Sequence, residues 1–173
     1  MTIQIRFWKD HKMGKIFEDR TQIFWIITST ILVGVLGLVD FLTGLVYLDL
    51  DNFKQVNDKL GHDEGDKLIG PIASDLKGQL RNTDIVARLG GDEFAILFPE
   101  TGQKEAQVVM SKVYSHVQDQ LRQKYAFVTF SAGAVTYVAI PNSSSEAIKI
   151  ADELMYSVKN STKNGIHYSL YTG

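Results

Sequence analysis

From residue 45 onward, apolar and polar positions alternate in short, well-punctuated blocks. Residues 45–50, LVYLDL, predict a short apolar strand whose end carries Asp49. Residues 63–80 repeat at helical spacing, with Leu68, Ile69, Ile72, Ala73, Leu76 and Leu80 on one side. Pro71 falls inside that helix and should cost ~3 kcal/mol or bend it. Residues 85–89 and 94–98 predict two strands joined by GGDE, a hairpin in form. Residues 103–122 predict an amphipathic helix, and 127–138, FVTFSAGAVTYV, a strand rich in β-branched and aromatic residues. PNSSS at 141–145 breaks the chain. Ser143 and Glu146 then make a capping box for a helix packing through Ala147, Ile148, Ala151, Leu154, Met155 and Val158. IHYSLY closes the domain. The order β-α-β-β-α-β-α-β fits one mixed sheet with helices on its faces, an α+β sandwich.

The pattern before residue 45 is different. Residues 21–39, TQIFWIITSTILVGVLGLV, hold no charge. As a helix this run would reach about 28 Å, enough to cross a hydrocarbon core. We therefore expect a polar, basic leader over 1–20, a hydrophobic transmembrane helix over 21–44 and the folded domain over 45–173. The alternative is a buried helix or strand, which the many β-branched residues favour. A secretory signal is not indicated, because the polar leader is too long and no small-x-small cleavage site follows.

Composition narrows the functional classes. The chain has 173 residues, 45% of them hydrophobic, a net charge of −2 and no cysteine. Disulfides, thiolate chemistry and cysteine-ligated zinc are excluded. The charge gives no electrostatic case for a nucleic-acid partner.

Four acids fall near one place if the first strand neighbours the hairpin. Asp49 and Asp51 lie at the strand's exit, and Asp92 and Glu93 lie in the turn. Carboxylates gathered within a few ångströms repel unless protonated or bridged by a cation. Oxygen-only ligation suits magnesium, which combines a few carboxylates with substrate phosphates. Gly90 and Gly91 leave the turn open to a ligand, and Lys54 is placed to meet phosphate charge. Either feature alone would read as an ordinary solvated turn.

Together, LDLDNFKQVNDKLGHDEGDKL, RNTDIVARLGGDEFAILFP, TFSAGAV and ADELMYSVKNSTKN resemble, in order and spacing, the GGDEF domain of diguanylate cyclases. The resemblance implies a mainly antiparallel sheet of about five strands, as in nucleotide cyclases and polymerase palms. It also implies an activity, the joining of two GTP into cyclic di-GMP with release of two pyrophosphates. Each subunit of a homodimer would hold one GTP. Asp49 matches the first metal-binding aspartate, assisted by the carbonyl of Leu50. Asp92 matches the second metal ligand, and Glu93 the adjacent acid that binds metal or activates the attacking 3′-hydroxyl. The implied cofactor is Mg2+ or Mn2+. Asn57 and Asp66 match the pair that reads the guanine edge; Asp66 accepts from N1–H and N2–H, which adenine cannot offer. Phe53, Lys54, Gly90 and Gly91 match positions around the triphosphate, and Lys159 and Lys163 match later phosphate contacts. His62 matches a histidine that does no chemistry.

Arg81 and Asp84 match the family's inhibitory RxxD motif, which binds cyclic di-GMP, at the expected five-residue offset from Gly90. A surface Arg–Asp pair is the plain alternative. The chain also departs from the family. Thr162 and Lys163 stand where glycine and arginine are usual, and lysine lacks the guanidinium fork. DFLTGL at 40–45 fits the motif that opens such domains, yet the Asn-Arg-Arg segment and its helix are absent before the first strand. Similar sequences also end the first span of membrane-anchored sensors. The expected setting is the inner membrane with the domain in the cytoplasm. The basic leader alone would instead send a single span's C-terminal side outward. The second functional reading is a catalytically inactive module that binds GTP or cyclic di-GMP, with part of its sheet uncovered by the missing helix.

Overall fold

The computed structural model describes Thr28 and residues 42–173. Its elements are β1 (Thr43–Asp51), α1 (Phe53–Leu60), α2 (His62–Gly78), β2 (Ile85–Gly90), β3 (Glu93–Pro99), α3 (Gln103–Lys124), β4 (Thr129–Tyr137), α4 (Ser144–Asn160) and β5 (Gly165–Tyr171). They form one sheet of order β2-β3-β1-β4-β5. β1 pairs antiparallel with β3 and β4, β2 antiparallel with β3, and β5 parallel with β4. The expected mixed, mainly antiparallel α+β sheet is the observed one.

β1 occupies the centre, and every one of its residues is buried. Val46, Leu48 and Leu50 face a core built with α1, α2 and α3, including Phe94, Ile96, Phe98, Phe130, Met110 and Leu121. Leu45 and Tyr47 face the opposite core, with Tyr137, Ala147, Ala151 and Met155 beneath α4. A strand covered on both faces carries a near-continuous apolar run, which is why LVYLDL shows no alternation.

Two helices stand where one was expected. α1 was missed because only Phe53 and Val56 of its eight residues are buried, too few to register as a period. Gly61, at φ 88°, separates it from α2. α2 continues through Pro71, which lies on its exposed side, where water can reach the carbonyl that loses its partner. The cap on α4 forms in modified style. Ser143 Oγ accepts from the Glu146 N–H at 3.1 Å, while Glu146 Oε2 accepts from the Asn142 N–H at 2.7 Å.

The expected membrane helix over 21–44 needs one correction. Thr43 and Gly44 belong to β1, because their backbone pairs with Pro99, Phe98, Tyr137 and Thr136. The leader over 1–20 and, Thr28 apart, the run over 21–41 lie outside the described residues. Among the described residues no helix is long and apolar enough to cross a membrane. On β2 and β3, Ala87, Ala95 and Leu97 are buried. Thr28 Oγ1 donates to Ser144 Oγ at 3.0 Å, at the start of α4.

Replacing Pro71 by alanine should restore a helical hydrogen bond and stabilise the fold by about 1–3 kcal/mol. Urea midpoints check this; an unchanged or lower midpoint would mean that the ring itself is needed.

Candidate active site at the exit of β1

Antiparallel register brings the acids to one end of the sheet. Asp49 sits directly opposite Glu93, the first residue of β3. The Leu50 N–H donates to the Asp92 carbonyl at 3.2 Å, tying the GGDE turn to β1. The Leu50 side chain is buried in the core, so only its backbone can serve a ligand. Gly90 and Gly91 form the turn at φ 152° and 50°, and a register shift marks the end of β2. The φ of Gly91 is one that other residues adopt only with strain. Arg88 Nε donates to the Gly91 carbonyl at 2.9 Å and braces the turn from below. Motif reading had passed over that residue, since an arginine inside a strand carries no local signal.

The acids sit in an unfavourable electrostatic setting. Burial, with repulsion from Asp92 and Glu93, pushes the Asp49 carboxyl up to about 6, although Lys159 works against the shift. Lys159, at the end of α4, donates from Nζ to Asp49 Oδ1 at 2.5 Å. Asp92 is also raised, chiefly by burial and further by Glu93; its backbone hydrogen bond, Lys159 and Arg88 oppose the rise. A carboxylate pair with one member buried and the other half-buried is what a divalent cation relieves. Asp49, Asp92 and the Leu50 carbonyl are oxygen donors, the type that suits a hard divalent cation such as Mg2+ or Mn2+. The protein alone does not gather a cage: among the described residues no three His, Cys, Asp or Glu side chains lie close enough to hold a metal.

Asp51 requires a correction. It shares its strand face with Asp49 but does not join the acid cluster. It is fully buried, and it accepts from Thr129 Oγ1 at 2.7 Å, Ser131 Oγ at 2.9 Å and the Asn164 N–H at 3.0 Å. Both oxygens are committed to the protein.

The nucleotide-binding candidates line α1, α2 and the end of α4. Phe53 and Lys54 open α1, where N–H groups and the helix dipole favour phosphate. The Phe53 side chain is buried, so its offer is backbone. Asn57 on α1 seats against Gly65 of α2, where a Cβ would come within 2.1 Å of Asn57 Oδ1. Only glycine leaves that room. Asp66 follows immediately and is exposed. Lys163 Nζ donates to Asn52 Oδ1 at 3.3 Å, bringing its turn to the β1 exit.

Arg81 and Asp84 lie at the other end of β2 from the GGDE turn. Asp84 is buried, and its Oδ2 accepts from the Arg81 N–H at 2.9 Å. Among the described residues its Oδ1 has no partner. Arg81 is exposed. The pair is therefore joined through backbone, and the aspartate braces the loop.

Comparison with known proteins identifies the family. The family model described as "Diguanylate cyclase, GGDEF domain" matches residues 39–165. The chain belongs to the GGDEF domain family. "Probable diguanylate cyclase DgcE" of Escherichia coli is 37% identical over 119 residues, covering 67% of this chain and 11% of that protein. "Cyclic di-GMP phosphodiesterase NbdA" of Pseudomonas aeruginosa is 31% identical over 126 residues, covering 72% and 16%. The chain thus spans between about a tenth and a sixth of these relatives' length. The crystal structure of the GGDEF domain of PA1120 (YfiN or TpbB) from Pseudomonas aeruginosa superposes with a TM-score of 0.78. It is 26% identical, and the match covers 88% of this chain and 96% of that one.

The raised Asp49 carboxyl has a stability consequence. Between its ordinary value of 3.8 and about 6 the folded GGDEF domain holds a proton that the unfolded chain has released. Metal-free stability should therefore fall as pH rises through that window, by on the order of 2 kcal/mol. Asp49→Asn should flatten the decline. Urea titrations at pH 4 and pH 7 check it, and equal slopes in both proteins would contradict the assignment.

Proposed function

We propose that this GGDEF domain is a diguanylate cyclase, condensing two GTP into cyclic di-GMP and two pyrophosphates. The observation that carries the reading is the charge arrangement at the β1 exit: Asp49 opposite Glu93, Asp92 tied to Leu50, and Lys159 on Asp49. Asp49, Asp92 and the Leu50 carbonyl would hold Mg2+ or Mn2+, with Glu93 beside them. The cation's contribution is to neutralise charge on the reacting phosphate and ease deprotonation of the nucleophile.

The protein's own residues orient the rest. Asn57 and Asp66 hold the guanine edge, while Gly90, Gly91, the α1 N-terminus and Lys54 receive the triphosphate. Lys159 moves from Asp49 to phosphate as the nucleotide arrives, and Lys163 adds a second positive charge. The 3′-hydroxyl of one GTP attacks the α-phosphorus of the other, and Glu93 takes its proton. The bond to the leaving pyrophosphate breaks as the new ester forms. Repeating the step in the opposite sense closes the ring, which requires two domains face to face. In this reading the homodimer is obligatory, the product binds at Arg81 and Asp84 to restrain turnover, and the domain works in the cytoplasm beside an inner-membrane anchor.

A second reading is a non-catalytic module that binds GTP or cyclic di-GMP. Two observations favour it: Thr162 and Lys163 replace the usual glycine and arginine, and one relative is named a phosphodiesterase.

Incubation of the chain with GTP and Mg2+, followed by mass-resolved chromatography, separates the two. Cyclic di-GMP should form, and Asp92→Ala should abolish it, a loss of at least about 1,000-fold. Turnover that survives Asp92→Ala would sink the metal assignment. Binding without any product in the wild type would select the module.

A further inference from the structure

The cation and nucleotide chemistry leaves one buried acid unused. Asp51 has no exposure, and its three donors come from two places. Thr129 and Ser131 belong to β4, and Ser131 pairs in parallel register with Gly165, the first residue of β5. The third donor is the backbone N–H of Asn164, in the turn that joins α4 to β5.

That turn is unusual. Lys163 and Asn164 are consecutive non-glycine residues in the left-handed region, at φ 53° and 50°. Side chains disfavour that conformation, so neighbours must impose it. Here the Lys163 N–H donates to the Val158 carbonyl at 3.0 Å. Tyr114 Oη donates to the Asn164 carbonyl and Oδ1 at 3.0 and 2.6 Å. Asp51 takes the Asn164 N–H from the opposite side. So held, the turn points Lys163 Nζ to Asn52 Oδ1, beside the strand exit where Lys159 meets Asp49. Asn52 is itself left-handed, at φ 63°, and its Nδ2 donates to the Phe127 carbonyl at 2.8 Å. A single carboxylate thus joins the exit of β1, the start of β4 and the lysine-bearing turn.

We propose that Asp51 is a positioning residue for phosphate: by fixing the Lys163–Asn164 turn against β1, it sets Lys163 at the triphosphate. The lysine's role rests on the cyclase reading above, whereas the hold on the turn does not. Asp51 touches neither metal nor nucleotide in this account, which separates it from Asp49 two residues earlier.

The test compares the full chain with Asp51→Asn, Lys163→Ala and the double variant. One readout is hydrogen exchange at the Asn164 amide, and the other is calorimetric affinity for a non-hydrolysable GTP analogue with Mg2+. Asp51→Asn should speed Asn164 exchange about tenfold while the α3 amides stay protected. It should weaken nucleotide binding about fivefold, and adding it to Lys163→Ala should change affinity less than about twofold further. Unchanged Asn164 exchange overturns the proposal whether or not the chain binds GTP. Fully multiplying effects in the double variant overturn the route through Lys163. A wild type that binds no nucleotide, with Asn164 exchange still governed by Asp51, overturns the cyclase reading and with it the phosphate role, leaving only the hold. Should Asp51→Asn fail to fold, Tyr114→Phe removes a second side-chain hold on the turn. It must then weaken binding through the same lysine, and unchanged affinity would overturn the proposal.

Discussion

Asp49 leaves a strand buried on both faces, opposite Glu93 and within electrostatic reach of Asp92. Water, which would normally screen such charges, is largely kept away. The only compensation the described protein gives Asp49 directly is the ammonium of Lys159, at 2.5 Å. Coulomb attraction at that distance offsets part of the desolvation cost, and the carboxyl still stays raised. Folding has therefore put acid groups where they are not at their most stable. Such a site gains from any incoming positive charge, and its lysine gains from any incoming negative charge. A metal–triphosphate complex brings both.

The surrounding fold keeps that arrangement from relaxing. β1 cannot slip by one residue without turning Leu45 and Tyr47 into the larger core and Val46, Leu48 and Leu50 out of it. The GGDE turn is held by the Leu50–Asp92 backbone bond and by Arg88 on Gly91. On the other side Asp51 fastens β4 and the Lys163–Asn164 turn. The two acids of DLD thus differ: Asp49 meets Lys159 at the strand exit, whereas Asp51 holds the scaffold together.

Much of this was legible in the sequence, for identifiable reasons. Strands buried on both sides and helices with five or more apolar positions leave strong periodic traces, so β1, α2, α3, β4 and α4 could be read. The GGDEF signature located the acids because several separated motifs agreed in order and spacing. α1 was not legible, since two buried residues make no period. The division of labour between Asp49 and Asp51 was equally hidden. Alternation puts both on one face, and only the register with Thr129 and the approach of Asn164 distinguish them. Burial of Asp84 was invisible for the same reason: RxxD spacing says nothing about which carboxylate oxygen faces protein.

The central proposal is that Asp49 and Lys159 together receive a cation and a phosphate. It is tested most directly by following the Asp49 carboxyl carbon by NMR across a pH titration, with and without Mg2+ and a non-hydrolysable GTP analogue. The account predicts a midpoint near 6 in the free protein, falling below the ordinary carboxylate value once metal and nucleotide are added. A midpoint that does not move on their addition would contradict it.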